Sequence, residues 1–419
     1  MNKNDKQNII ITGGNFRNKG AQAMLLITYY RLKEIYPYID FYYSSDDTSP
    51  TRPIPGLKYL NKYILFNALR IMSRKRVNCI EFPEYVFRTY NIIKKKNSAL
   101  LFKEKSYIDV LNNTIFILDV SGFAISSKFM NRITWNLISL IENAHKCGIK
   151  TIIMPQSFGP FDYRCRRRKI CEKLGEVLKY PEMIFARECE GFNLLKDKFG
   201  LDKLYLSTDL VLQSKNINWD NMRVQASNTF EIKDKSVAII PNKKIIEKIS
   251  NSSALFGVYA EIISVLLKHG KEIYLVNHSS EDIIISKKIK NYFENDKRVH
   301  MLECELNCYE FEDLVGKFEY IIASRYHSIV LAYRQCVPVI GIGWAVKYEE
   351  LFELLNQSEY IVKLTDIGRD SDIILRLINR MDDNYKKEAG VIKMALDSIQ
   401  EKDCFEKVFD CINHTISRL

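Results

Sequence analysis

The sequence predicts an α/β protein made of two Rossmann-like domains facing across a cleft, with helices at the C-terminal end. Three observations lead there. Short apolar runs rich in β-branched residues alternate with helix-period segments almost from end to end, as parallel sheets covered by helices require. The alternation lapses in the polar stretch "QSKNINWDNMRVQASNTFEIKDK" at 213–235 and then restarts. The 419 residues are too many for one ordinary core.

Taken in order, the predicted strands of the first half are "NIIITGG" (8–14), "DFYYSS" (40–45), "TIFILDVSG" (114–122), "KTIIMPQSFG" (150–159), "MIFARE" (183–188) and "KLYLSTD" (203–209). Helical segments lie between them, among them "GAQAMLLITYYRLKEIYP" and "ITWNLISLIENAHKCG", the second stopping at Gly148 as a helix C-terminus does. Residues 50–110 fit the alternation least and read as an inserted helical or loop excursion. The second series runs "SVAIIPN", the helical "ALFGVYAEIISVLLKHG", "KEIYLVNHS", "RVHMLE", "YIIASRYHS" and "VPVIGIG". From about 370 onward only helix is predicted. The expected organisation is an N-terminal domain over 1–212, a linker over 213–235, a C-terminal domain over 236–365 and a helical segment over 366–419.

The formal net charge of +11 favours an anionic partner, and with no nucleic-acid-binding module in the sequence it does not point to nucleic acid. Two basic clusters, "KKK" at 94–96 with Lys103 and Lys105, and "RCRRRK" at 164–169, read either as solvated helix faces or as contacts with an anionic membrane surface or a lipid-carried phosphorylated substrate. The ten cysteines form no CxxC pair and no zinc-finger spacing, so no metal site is expected and most are read as small buried hydrophobes or reduced thiols. The N-terminal apolar run is too short for a signal peptide, and nothing approaches the roughly 18 uninterrupted apolar residues of a spanning helix. A cytoplasmic protein is expected, with peripheral contact at the inner face of the membrane as an extension of that reading.

The chemistry-bearing residues fall at predicted strand ends, the edge at which open parallel sheets bind ligands. The first loop, "GGNFRNKGAQAML", matches neither a dinucleotide fingerprint nor a Walker loop, which leaves the helix N-terminus at Gly20 as a candidate for an oxyanion or sugar hydroxyl, or else a tight turn. Arg187, after "MIFA", either reaches the cleft or pairs with Glu188. Asp209 ends "YLSTD" and either serves the site or caps the next segment. The element "SRYHS" combines Ser324, Arg325, His327 and Ser328: a guanidinium fork that suits phosphate or carboxylate, beside a side chain able to transfer a proton near neutrality. Downstream, Gly341, Gly343 and Lys347 put a further cation at a strand-to-helix junction.

Together, "NKGAQAML", "PQSFGPF" (155–161), "ARECEGFNLL" (186–195), "STDLVL" (207–212), "SRYHSIVLA" (324–332) and "GIGWAVK" (341–347) resemble, in order and spacing, the polysaccharide pyruvyl transferase family from about residue 8 to 355. The resemblance implies a GT-B-like fold and transfer of the pyruvyl group of phosphoenolpyruvate to a sugar of a cell-surface polysaccharide or its precursor, usually as a cyclic ketal. It implies phosphoenolpyruvate contacts for Arg187, Arg325 and His327. This chain has Ala21 where the family more often carries an acidic residue. The expected scheme makes His327 the general acid, Arg187 and Arg325 the clamps on phosphate and carboxylate, and Lys347 an auxiliary cation, with no cofactor beyond the donor substrate itself. The acceptor is expected to be a sugar, lipid-linked, nucleotide-linked or free. Two other readings fit the same pattern: a GT-B glycosyltransferase using a nucleotide sugar, with Glu349 and Glu350 on the ribose, and a non-catalytic glycan-binding protein on the same scaffold.

Overall fold

The computed structural model describes residues 7–46, 54–76, 106–164, 167–213, 230–246, 252–367 and 372–418. The chain forms two compact units, the first from Met1–Phe16, Met24–Ser207 and Cys404–Leu419, the second from Arg17–Ala23 and Thr208–Asp403.

The first unit is built on seven strands, β1 (Asn8–Thr12), β2 (Asp40–Ser45), β3 (Leu57–Asn61), β4 (Thr114–Asp119), β5 (Lys150–Gln156), β6 (Met183–Ala186) and β7 (Leu204–Leu206), in the order β3-β2-β1-β4-β5-β6-β7. Every pairing is parallel. Central strands of such a sheet are covered on both faces, and β1 accordingly reads "NIIIT" with all five residues buried. Strand order reverses between β1 and β4. At their carboxyl ends Thr12 Oγ1 donates to Asp119 Oδ2 at 3.0 Å, and Gly13 takes φ +86° so close to Ser121 that a Cβ would meet its Oγ at 2.3 Å.

Part of the region expected as an irregular excursion belongs to this sheet. Leu57–Asn61 forms its edge strand, and the helix Lys62–Arg76 packs Leu65, Leu69 and Met72 into the same core as Leu137 and Ile141 of the helix Asn131–Lys146. The cluster at 94–96 with Lys103 and Lys105 lies outside the described residues, as do Cys165 and Arg166 of the second basic cluster and most of the polar stretch 213–235. At the other end of the chain, the helix Phe405–Ile416 lies on the first unit. The Tyr36 hydroxyl donates to Asn413 Oδ1 at 2.9 Å, and the Arg31 guanidinium sits 4.7 Å from the Phe405 ring centroid.

The second unit carries six parallel strands, β8 (Ser236–Ile240), β9 (Glu272–Leu275), β10 (Val299–Met301), β11 (Tyr320–Ala323), β12 (Val339–Gly343) and β13 (Ile361–Lys363), in the order β10-β9-β8-β11-β12-β13. This is the doubly wound arrangement with its reversal between β8 and β11. β13, three residues long, was not visible in the sequence pattern. The long helix Asp372–Gln400 belongs to this unit. β11 ends at Ala323, and the rest of "YIIASRYHS" turns directly into the helix Tyr326–Arg334, so His327 is a first-turn helix residue rather than a strand-end one.

Candidate active site

The switch point of the second unit assembles around Arg325. With φ −92° and ψ 122° this residue is the last extended position before the helix Tyr326–Arg334. Its side chain turns to the segment after β9: Nε and Nη2 donate to the two oxygens of Asp282 at 2.9 and 2.7 Å, and Nη2 also donates to Glu281 Oε1. Burial opposes the charge of Arg325, yet Asp282 and Glu281 outweigh it and hold the guanidinium protonated above its ordinary range. The same contact, with Arg325 as its main cause, draws the Glu281 carboxyl below the usual carboxylate range. Asp282 is completely buried and also accepts from the Lys243 and Ser279 backbone N–H groups. The fork expected to grip a ligand is therefore engaged by two carboxylates of its own unit.

Ser324 and Ser328, expected to touch substrate, are fully buried and bond the backbone instead. Ser328 Oγ donates to the Arg325 carbonyl at 2.6 Å. Ser324 Oγ donates to Ile240 O at 3.4 Å, while its carbonyl accepts from Asn242 Nδ2 and the Tyr348 hydroxyl. Both residues fix the turn that presents Arg325 and His327.

His327 lies between two segments that sequence spacing alone would not join. Its Nε2 is 3.7 Å from Asp209 Oδ2, in ion-pair range and longer than a hydrogen bond. Asp209 is buried, and its Oδ1 accepts from Val211 N at 2.9 Å, so one carboxylate both caps the turn Leu210–Gln213 and faces the imidazole. On the other side the ring lies against Gly20, where a Cβ would come within 2.1 Å of His327 Cγ and 2.2 Å of Nδ1. The Gly20 and Ala21 N–H groups, expected to be open to an oxyanion, donate to Asn18 Oδ1 at 2.9 and 3.2 Å. Gly20 makes room for the histidine. Gly20→Ala is expected to displace the ring and lower turnover at least tenfold, at a stability loss of about 1–3 kcal/mol; steady-state rates and a denaturation curve check it, and unchanged turnover would remove the steric role.

Lys347 completes the face. Its ammonium sits 4.6 Å from the Tyr326 ring centroid, 5.7 Å from that of Tyr348 and 5.9 Å from that of Trp344, and Tyr326 stands edge-on to His327 at 5.3 Å. Aromatic faces hold a cation by their quadrupole.

Besides Asp282 and Glu281, Lys19 and His278 escaped the sequence reading. Lys19 is buried, its Nζ donates to the His278 carbonyl at 2.6 Å, and it sits 5.7 Å from the Phe311 ring centroid. Burial lowers its pKa from 10.5 to about 8 against the opposing pull of Glu305, Cys308, Asp282 and Cys304. His278 follows β9 and is buried beside Lys19. The available signal was positional: Lys19 opens the helix Lys19–Ile35 that follows β1, and His278 lies just past the end of β9. Between about pH 8 and 10.5 the unfolded chain keeps a proton on Lys19 that the folded chain releases, so this residue's unfavourable contribution is full below pH 8 and fades as pH rises through that window. The stability difference between wild type and Lys19→Met should therefore shrink from pH 7.5 to 10 in parallel denaturation curves. A pH-independent difference would mean that the ammonium is not held in a desolvated state.

Arg187 belongs to the first unit. Its Nε donates to Glu188 Oε1 at 2.8 Å and to Ser157 Oγ at 3.0 Å, its Nη2 donates to Ser157 Oγ at 2.8 Å, and Ser157 in turn donates to Glu188 at 2.7 Å. The structure thus brings Arg325, His327, Asp209, Gly20, Ser324, Ser328 and Lys347 together in one unit and places Arg187 in a buried pair with Glu188 in the other.

Among the described residues no group of three or more His, Cys, Asp or Glu is arranged to hold a metal ion, and no helix is long and apolar enough to cross a membrane. No curated protein sequence matches the chain. Solved structures that resemble it include a glycosyltransferase from Rickettsia africae (10% identity, TM-score 0.56, 98% of this chain and 99% of that one). Another is UDP-GlcNAc 2-epimerase from Methanocaldococcus jannaschii (14% identity, TM-score 0.53, 89% and 92%). A third is Anabaena HepE in complex with UDP-glucose (10% identity, TM-score 0.54, 98% and 100%). At these identities the likeness is one of fold, and it establishes the expected α/β, GT-B-like class. The sequence model of polysaccharide pyruvyl transferases matches residues 18–345, a span that holds Lys19, Gly20, Arg187, Asp209, Arg325 and His327, and the chain belongs to the polysaccharide pyruvyl transferase family.

Proposed function

We propose that the protein transfers the pyruvyl group of phosphoenolpyruvate to a sugar of a polysaccharide or its precursor, closing a cyclic ketal, with the donor held by the second unit. The observation that supports this reading most is the placement of His327 beside the Asp209 carboxylate and within one aromatic ring of Lys347. The donor carries a phosphate and a carboxylate on an enol carbon. Protonation of its methylene carbon by the His327 imidazolium makes the neighbouring carbon electrophilic, and Asp209 balances the imidazolium charge and orients the ring. A sugar hydroxyl adds to that carbon and loses its proton, and orthophosphate departs with the electrons of its C–O bond. A second hydroxyl then adds to the resulting oxocarbenium and loses its own proton. His327 has given one proton to the methyl group; of the two protons released by the sugar hydroxyls one returns to the histidine and the other leaves with phosphate, so the sum is donor plus diol giving ketal plus orthophosphate.

In this scheme Lys347 and Lys19 attract the anionic donor, while Arg325, bound by Asp282 and Glu281, sets the positions of both strand-end segments. The acceptor is a sugar, lipid-linked, nucleotide-linked or free. The test is to incubate the purified protein with phosphoenolpyruvate or with nucleotide sugars, together with candidate glycans, and to follow orthophosphate and nucleotide release. Orthophosphate release that depends on both donor and glycan is the expected result. Nucleotide release from a UDP-sugar would replace this reading with a glycosyltransferase, the activity named for the Rickettsia structure.

A further inference from the structure

We propose that Lys19 and His278 form an oxyanion subsite in the second unit, which holds a phosphate or carboxylate oxygen of the donor near His327. The inference deepens the donor reading above and takes the identity of the anion from it.

His278 is 2% exposed, and among the described residues neither of its ring nitrogens has a hydrogen-bond partner. Leaving a buried polar group unbonded is costly, and native cores rarely tolerate it without a reason. The surroundings increase the cost. Lys19 is bonded to the His278 carbonyl, and Phe311 forms a wall shared by both, edge-on to the imidazole at 5.2 Å and 5.7 Å from the Lys19 ammonium. Burial first, then the charges of Lys19, Arg325 and His327, hold the His278 imidazole well below its ordinary range, so it is neutral near pH 7 and carries one N–H.

Of the three cationic or cationisable groups near His278, Arg325 is paired with Asp282 and Glu281 and His327 faces Asp209, so the charge set directly against the imidazole is that of Lys19, which a histidine kept for packing does not need. A donor N–H among cations is complementary to an anionic oxygen, which would accept from the imidazole and neutralise its surroundings together. Lys19 has the capacity to join: an ammonium has three donors, and the His278 carbonyl takes one. Arg325, already bonded to Asp282 and Glu281, contributes field rather than a fork. The substrate class is thus a small phosphorylated or carboxylated anion.

The test uses the full chain labelled with ¹⁵N in the rings of its six histidines. Orthophosphate is titrated first and phosphoenolpyruvate second, with the His278 resonance identified by its loss in His278→Gln. The expected result is a shift of that resonance with orthophosphate, at least tenfold weaker orthophosphate binding by calorimetry in His278→Phe, and near-wild-type binding in His278→Gln, whose amide still donates. An unmoved His278 resonance in the wild type, with equal affinity in His278→Phe, overturns the subsite. Because the wild-type resonance is read directly, the outcome does not depend on the Phe variant folding. Orthophosphate binding at His278 without phosphoenolpyruvate binding keeps the subsite and ends the donor reading. Phosphoenolpyruvate binding that leaves His278 unmoved keeps the donor reading and ends the subsite.

Discussion

His327→Ala is expected to abolish turnover, by ~10²–10⁴-fold in kcat, while leaving the fold and phosphoenolpyruvate affinity nearly unchanged. General acids act on the transition state, so their loss appears in kcat rather than in ground-state binding. The structure makes the variant clean. The ring is bounded by the backbone of Gly20 and by Asp209, and removing it leaves Arg325 on Asp282 undisturbed. Steady-state kinetics with a donor-binding titration separate the two effects. Turnover within a few-fold of wild type would remove His327 from the chemistry; lost affinity with retained kcat would make it a binding residue.

The second large effect is on stability. Arg325→Ala leaves the Asp282 carboxylate, 0% exposed, without its cation, and breaking one side of such a buried pair costs about 3–5 kcal/mol. Arg325→Lys keeps a charge but not the two-pronged contact and should fall between wild type and alanine. The double change of Arg325 and Asp282 to alanine should be less destabilised than the sum of the two single changes. Denaturant unfolding of these variants beside the wild type measures all of this. A loss below about 1 kcal/mol in Arg325→Ala would mean that Asp282 is readily neutralised or solvated, contrary to its burial.

Much of the architecture was legible because doubly wound sheets leave a strong local mark. Strands such as "NIIIT", "SVAII" and "YIIA" are buried on both faces and so read as continuous apolar runs. What escaped were edge strands. "LKYLN" and "IVK" alternate or are short, and only their neighbours identify them as sheet. In the site, the arginine–histidine pair stood out because it follows an apolar run at the edge where open parallel sheets bind ligands. Its partners did not. Asp282 lies 43 positions from Arg325 and Lys19 lies 259 from His278, and no local pattern encodes contacts that a crossover creates. For the same reason, residue type could not tell that Gly20 is small in order to admit the imidazole. Nor could it tell that Arg187 and Arg325 each face carboxylates of their own unit. The sequence offered the choice between clamp and paired residue for Arg187, and the structure shows the Glu188 pair.

At the heart of the proposed chemistry, a proton is added to the donor's methylene carbon and the resulting pyruvyl group is transferred as orthophosphate departs. The reaction in D₂O with phosphoenolpyruvate and a responsive glycan, read by mass and NMR spectra of the product methyl group alongside orthophosphate release, follows both events at once. One deuterium in each transferred methyl and one orthophosphate per pyruvyl group are expected. A product that keeps the vinyl carbon, or transfer without stoichiometric orthophosphate, would refute the mechanism.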